Sequence, residues 1–393
     1  MDPTHQWIAG AWCPPQSGIT FETVAPGSTG PPLGRWPRSG PEDFRAAVAV
    51  GLEANGPWSA LGRGGRLQCA ERALRDLERS GASGELAAAL GPALGADGEL
   101  AQALVWDELL RAREALELAR DGGPESQGVG AFALHWSDRA GLGFARLVGR
   151  LVAGTCVVLV ADGRLPQSGL ALARAFEAAD PPAGTVALLV DDGRTLRRAA
   201  RRDGRLAFAR ECAAPHERLG LGDPGPAEWL RVPLATATAV VLSGDDPEAA
   251  AADVLDRALG ASRTLFGQFP GSVGRVLCER RMLARFTAAL LARLDADPRC
   301  GSPCAPVEED LAGHLQESWG LGLDEGAAPI FGEPPASAEA GVVPLVFTNV
   351  DPHGRLIALD RPAPLLRLAR ADSDDEAREH ARRLATPAQS PTS

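Results

Sequence analysis

The sequence predicts an α/β protein, with a parallel sheet covered by helices on both faces and a second, smaller α/β unit after it. Three observations carry this expectation. The run Cys156–Val160 is continuously apolar, as strands buried on both faces must be, and Thr185–Val190 and Ala239–Leu242 are similarly rich in apolar residues. Segments with apolar residues at helical spacing alternate with these runs, which calls for crossover helices rather than hairpins. The 393 residues also exceed what one hydrophobic core usually organises, so two units are expected.

The elements can be justified in order. Residues 7–36 read as short extended pieces punctuated by Gly and Pro. Pro41 suits a first helical turn, and Phe44, Ala47, Val48 and Leu52 share one face of a helix that ends near Trp58. Leu67, Ala70, Leu74 and Leu77 mark a helix over 65–80, and Leu100, Leu104, Leu109 and Leu110 one over 97–120. From Gly128 the reading is strand 129–134, helix 141–152, strand 156–160, helix 169–178, strand 185–190, a weaker strand 206–210 and strand 239–242. Asp246 and Pro247 cap a helix that reaches Leu265. A strand over 275–278, a helix over 280–295 and strands over 343–347 and 365–368 complete the second unit. The implied organisation is 1–245 as the first sheet with its N-terminal helices, 246–370 as the second unit, and 371–393 as a helix with a frayed tail.

Composition excludes several functions. No stretch approaches the roughly 18 apolar residues of a membrane span. The N-terminus has neither a basic start nor an apolar run, so a cytoplasmic protein is expected. A net charge of −11 argues against a nucleic-acid or membrane surface, and the Arg197-Arg198, Arg201-Arg202 run reads as a solvated helix face. The seven scattered cysteines read as reduced thiols. Cys300 and Cys304 form a lone C-x3-C, from which no metal site is expected. All 40 basic residues are arginine and tyrosine is absent, which excludes a P-loop lysine, a Schiff-base lysine and a Tyr–Lys pair. Gly62-Arg63-Gly64-Gly65-Arg66 does not follow a strand and reads as a plain turn.

Several segments, in their order along the chain, carry a resemblance. They are Ile8–Trp12, Gln127–Trp136, Leu151–Leu159, Pro181–Leu189 and the loop Phe266-Gly267-Gln268-Phe269-Pro270-Gly271-Ser272 leading into Val273-Gly274-Arg275-Val276. Together they resemble the aldehyde dehydrogenase superfamily over nearly the whole chain. The resemblance implies an aldehyde dehydrogenase-like fold: a Rossmann-type parallel-sheet domain plus a second, truncated α/β domain. It implies NAD or NADP as cofactor and a cysteine that forms a thiohemiacetal.

Carried over residue by residue, the implied chemistry fails. Pro270 stands at the nucleophile's position and cannot attack a carbonyl. Cys278 and Cys212 remain as displaced candidates, against the reading of Cys278 as a small core residue. Ser272 lacks an adjacent base. Pro233 is nearest the general base's position, with Glu228, read as an exposed helix-end residue, the closest acid upstream. Ser137 stands for the side-chain oxyanion donor, a shorter group than the family's asparagine. The adenosine-ribose lysine maps to Val160 and its acidic neighbour to Gly163. The pyrophosphate-binding helix start maps to Ala209–Cys212. Asp360 is the one surviving candidate for the nicotinamide ribose, against the reading of an exposed loop aspartate.

Arg120–Gln127 is a short link where the family inserts a β-hairpin, and the chain ends soon after the 365–369 strand. Both departures put the family dimer in doubt. They resemble the second, noncatalytic module of the two-module family-16 aldehyde dehydrogenases. The expectation is a degenerate, truncated pseudoenzyme that needs no cofactor and works with a protein partner or companion module. The alternatives are an NAD(P)-dependent oxidoreductase with a displaced nucleophile, and a truncated gene product.

Overall fold

A computed structural model describes residues 2–137, 141–191, 195–213, 226–233, 235–259, 267–298, 300–301, 303–308, 310–337 and 341–385. The chain divides into two compact units, the first over 1–93, 97–213 and 218–232 and the second built on 233–393.

The first unit opens with β1 (Gln6–Ile8), β2 (Ala11–Cys13), β3 (Thr20–Thr23) and β4 (Gly34–Pro37). Four helices follow: α1 (Pro41–Ala60), α2 (Gly62–Glu78), α3 (Ser80–Leu94) and α4 (Gly98–Arg120). The α/β part is β5 (Val129–Ala133), α5 (Phe144–Ala153), β6 (Cys156–Asp162), α6 (Pro166–Ala179), β7 (Val186–Asp191), α7 (Thr195–Arg201), β8 (Leu206–Ala213) and β9 (Trp229–Pro233). The sheet runs β2-β1-β7-β6-β5-β8-β9, with β7, β6, β5 and β8 mutually parallel. β6 and β7 lie on one side of β5 and β8 on the other. The strand order therefore reverses between β5 and β8, where open α/β sheets leave a crevice at their carboxyl ends.

Local chemistry explains α5. Phe144, Leu147, Val148, Leu151 and Val152 form its buried face. Gly143 offers no side chain to its first turn, so the buried carboxylate of Glu108 on α4 accepts from Ala145 N at 2.8 Å. The helix ends at Gly154 with φ +117, where a Cβ would lie 2.5 Å from the Ser126 carbonyl. Trp58 Nε1 and Arg66 Nε donate to the terminal carbonyls of Leu151 and Val152 at 3.0 and 2.8 Å.

The second unit contains β10 (Ala237–Val241), α8 (Pro247–Leu259), β11 (Val273–Glu279), α9 (Arg280–Ala296), α10 (Leu311–Asp324), β12 (Ala328–Phe331), β13 (Leu345–Val350), α11 (Arg355–Ala358), β14 (Leu365–Ala371) and α12 (Asp374–Ala385). Its sheet runs β10-β11-β14-β13-β12, parallel except for the antiparallel edge strand β12. The core gathers Val276, Leu277, Phe286, Leu290, Phe347 and Leu368.

Several expectations are corrected. The boundary falls at 232/233 rather than 245, because β10 pairs with β11 in register from Thr238↔Arg275 to Val241↔Cys278. Gly62–Arg66 is the first turn of α2, not a free turn. Ala209–Cys212 lies inside β8, so it is not a helix start. The hydrophobic pattern alone does not reveal α3, β9, α10 or β12. The link over 121–128 between α4 and β5 contains no strand. Among the described residues no helix is long and apolar enough to cross a membrane. Leu265 and the tail from 386 lie outside the described residues.

Candidate functional site

Pro270 sits in a tight turn of the second unit, just before β11. Ser272 N donates to Phe269 O at 3.1 Å, and Gly271 at φ +85 follows Pro270. Pro then Gly with positive φ at the two central positions is what a type II turn favours. Pro270, which the resemblance sets at the nucleophile's position, shapes the backbone here. Gly267 also has positive φ, +72, and a Cβ there would lie 2.5 Å from Ala363 O. Gln268 is buried and its Oε1 accepts from Val307 N at 3.0 Å.

Cys278 does not take Pro270's place. Cys278 lies within β11 at 0% exposure. Burial, with the charges of Glu279 and Asp245 adding, pushes its thiol up to about 12. It is a core residue, and the thiolate a nucleophile needs is disfavoured there. Cys212 lies in β8, with its side chain outside the described residues. The six described cysteines form no disulfide with one another, and Cys300 and Cys304 are buried among apolar neighbours.

Asp360 is 25% exposed at its side chain and is not a free loop residue. Its Oδ1 lies 2.8 Å from Arg275 Nη2 and accepts from Thr236 N at 2.9 Å and Thr236 Oγ1 at 3.2 Å. Arg275 also donates to the carbonyls of Ile357 and Leu359 at 2.9 and 3.0 Å. Arg367 beside it donates to Gly274 O at 2.8 Å, to Leu356 O at 3.1 Å and to Leu359 O. Burial, and then the like charge of Arg275, push the Arg367 guanidinium down to about 9, with Asp360 opposing. Two buried cations thus bind the carboxyl end of α11 to the sheet, and Asp360 is their counter-ion.

At the base position, Pro233 ends β9, with its side chain outside the described residues. Glu228 is no helix-end residue. Its backbone pairs with β8 through Ala209 N to Glu228 O at 2.9 Å, and its carboxylate accepts from Arg150 at 3.0 Å.

The carboxyl ends of β5 and β6 hold a cluster of polar groups. His135 and Ser137 are buried, with Ser137 Oγ 2.7 Å from His135 Nδ1. Ser137 N donates to the same nitrogen at 3.3 Å. The hydroxyl is therefore engaged by an imidazole and does not stand free as an oxyanion donor. Asp162 at the end of β6 accepts from Trp136 N at 3.1 Å and from Arg164 N at 3.0 Å. Burial raises its pKa, but the charges of Arg164 and His135 and the two N–H donors outweigh that and hold the carboxyl below its ordinary range. On the other side of β5, Arg210 of β8 lies over the Phe132 ring at 4.4 Å.

No protein-family model matches the sequence. Solved structures do match. A NAD-dependent benzaldehyde dehydrogenase from Corynebacterium glutamicum superposes with a TM-score of 0.81 at 21% identity, covering 97% of this chain and 87% of that one. A point mutant of aldehyde dehydrogenase C from Pseudomonas syringae, complexed with NAD+ and octanal, gives 0.82 at 22%, covering 96% and 82%. A NAD-dependent aldehyde dehydrogenase from Sinorhizobium meliloti gives 0.83 at 20%, covering 96% and 80%. The chain has the aldehyde dehydrogenase fold.

On this fold, the first unit is the Rossmann-type half that the sequence predicts, and the second unit carries the Pro270 turn. Ser137 is singled out by the sequence, but its pairing with His135 and the place of Asp162 escape a reading of the sequence alone. An acid at the end of the strand after β5, and a histidine two residues before a serine at a strand end, are the available signals. Neither carries weight until the two strand ends are known to be neighbours.

Proposed function

We propose that this chain uses an aldehyde dehydrogenase scaffold without aldehyde dehydrogenase chemistry, as a noncatalytic binding or assembly module. The observation that carries the reading is Pro270, built into a Pro-Gly turn where the nucleophile is expected, with Cys278 wholly buried nearby in sequence. Proline at Pro233 and valine at Val160 remove the general base and the ribose-binding lysine that the resemblance implies. Asp360, the one candidate for the nicotinamide ribose, serves instead as counter-ion to Arg275 and Arg367.

The partner is a protein, such as a companion aldehyde dehydrogenase module. The net charge of −11 disfavours nucleic acid and anionic membranes. No cofactor is required, and NAD or NADP is the ligand to test because the strand order reverses between β5 and β8, where open α/β sheets take such ligands. The chain acts in the cytoplasm.

Calorimetric titration of the purified chain with NAD+ and then NADP+ tests this, together with aldehyde-dependent NAD(P)H formation. The expected result is no binding tighter than about 1 mM, near −4 kcal/mol, and no NAD(P)H. Aldehyde-dependent NAD(P)H formation that survives purification would overturn the reading.

A further inference from the structure

We propose that α12 is fastened to the turn before α11 by a latch that opens in mild acid, with His353 as the group whose protonation opens it. α12 is the last described element, and Ala377 faces the core of the second unit with Ala381 and Leu384 packed beside it. The start of the helix is tied down by Asp374, whose carboxylate accepts from Ser243 N at 2.8 Å and from Ser243 Oγ at 2.9 Å. The last turn is held differently. Arg383 reaches across to the turn between β13 and α11, donating to Pro352 O and, at 2.6 Å, to His353 Nδ1.

That contact fixes the sign of the response. A guanidinium has donors only, so His353 Nδ1 is the acceptor and the ring's proton sits on Nε2. An imidazolium carries a proton on both nitrogens. Protonating His353 therefore removes the acceptor that Arg383 uses and sets a second cation against it. Histidine is the side chain whose charge ordinarily changes between about pH 5 and 8.

The charged neighbours reinforce this. His380 of α12 is buried and meets the His353 ring edge to face, with centroids 4.9 Å apart. Its Nε2 lies 3.4 Å from Glu376 Oε1, and Glu376 also accepts from Asp372 N at 2.6 Å. This anion sits against His380, so a charge on His380 is compensated and a further one on His353 faces two cations, His380 and Arg383. Asp351 is the anion of the same turn, with its Oδ1 accepting from His353 N at 2.8 Å. Glu325 of α10 is engaged at the start of α11 by Arg355 N at 2.9 Å and Leu356 N at 3.0 Å. On the strands under α12, Arg370 of β14 lies 3.5 Å from Asp372, Glu279 of β11 accepts from Arg281 N at 2.7 Å, and Asp245 beyond β10 accepts from Leu242 N at 2.7 Å. The latch does not depend on dinucleotide binding.

The test is hydrogen–deuterium exchange of the full chain at about pH 7.5 and about pH 5.5, corrected for the intrinsic pH dependence of exchange, with peptides from α12 and α9 compared. Asp374 and Glu376 stay ionised across this window. Hydrogen bonds from Ser243 hold the first below its ordinary range; the bond from Asp372 N, and then His380 and His353, hold the second there against burial. The expected result is a loss of protection of about threefold or more in the last turn of α12 at the lower pH, with no change in α9. His353→Gln keeps an acceptor for Arg383 but cannot take up a proton, so its α12 stays protected at both pH values. Arg383→Met lacks the donor, so its last turn exchanges fast at both. Equal protection of α12 at the two pH values in the parent, or an undiminished pH response in His353→Gln or Arg383→Met, would overturn the proposal.

Discussion

Pro270, Cys278 and Asp162 show how a single side chain's surroundings decide its chemistry. Pro270 gives a turn its fixed φ and gives substrate nothing. On the proposed function, Pro270→Cys should therefore not restore aldehyde oxidation, because the resemblance assigns the base and lysine positions to Pro233 and Val160, which can supply neither group. Assaying the variant for NAD(P)H with an aldehyde checks this. Cys278 should resist iodoacetamide in the folded protein at neutral pH and react once the chain is unfolded, while half-buried Cys13 reacts first. Peptide mass spectrometry orders the two. For Asp162, the folded carboxyl lies below its ordinary range. Its contribution is therefore complete above the unfolded value of about 3.9 and is lost as pH falls through the lower folded value. Asp162→Asn should cost about 1–3 kcal/mol at pH 7, and the gap to the parent should close in acid. Urea unfolding at several pH values measures it.

At the scale of elements, long-range side chains finish what local sequence leaves undone. α5 has no capping side chain of its own at Gly143, and Glu108 reaches it from α4. Glu108→Ala should cost about 1–2 kcal/mol, with Glu108→Gln losing less because an acceptor remains. Chemical denaturation compares the two. Gly267 cannot take a side chain without driving it into the Ala363 carbonyl. Gly267→Ala should destabilise the second unit by about 2 kcal/mol or more, through φ strain and that clash together. Arg367 donates to carbonyls from two segments, and its removal takes one donor each from Gly274, Leu356 and Leu359, with Arg275 still donating to Leu359 O. The Gly62–Arg66 segment teaches the same lesson. Read alone, its three glycines indicate a turn; in the fold it starts α2, because Arg66 is drawn inward to the Val152 carbonyl.

For the whole molecule, two compact units with separate sheets and cores predict unfolding that is not two-state. Scanning calorimetry should give a calorimetric enthalpy larger than the van't Hoff enthalpy. Much of the architecture is legible in advance, because parallel strands buried on both faces must be written as unbroken apolar runs. Cys156–Val160 is readable for that reason, and so is Thr185–Val190, polar only at its first residue. β9 and β12 are not: one is a mixed sequence ending in proline, and the other is an exposed edge containing Pro329. Their pairing comes from partners that local pattern does not reveal. The absence of a nucleophile at Pro270 was determined by the sequence alone, since no fold can give proline a reactive group. The fate of Cys278 and Asp360 was decided only by tertiary structure. Thiol reactivity and ion pairing depend on burial and on neighbours brought together from distant parts of the chain, and those distances exist only once the sheets have closed.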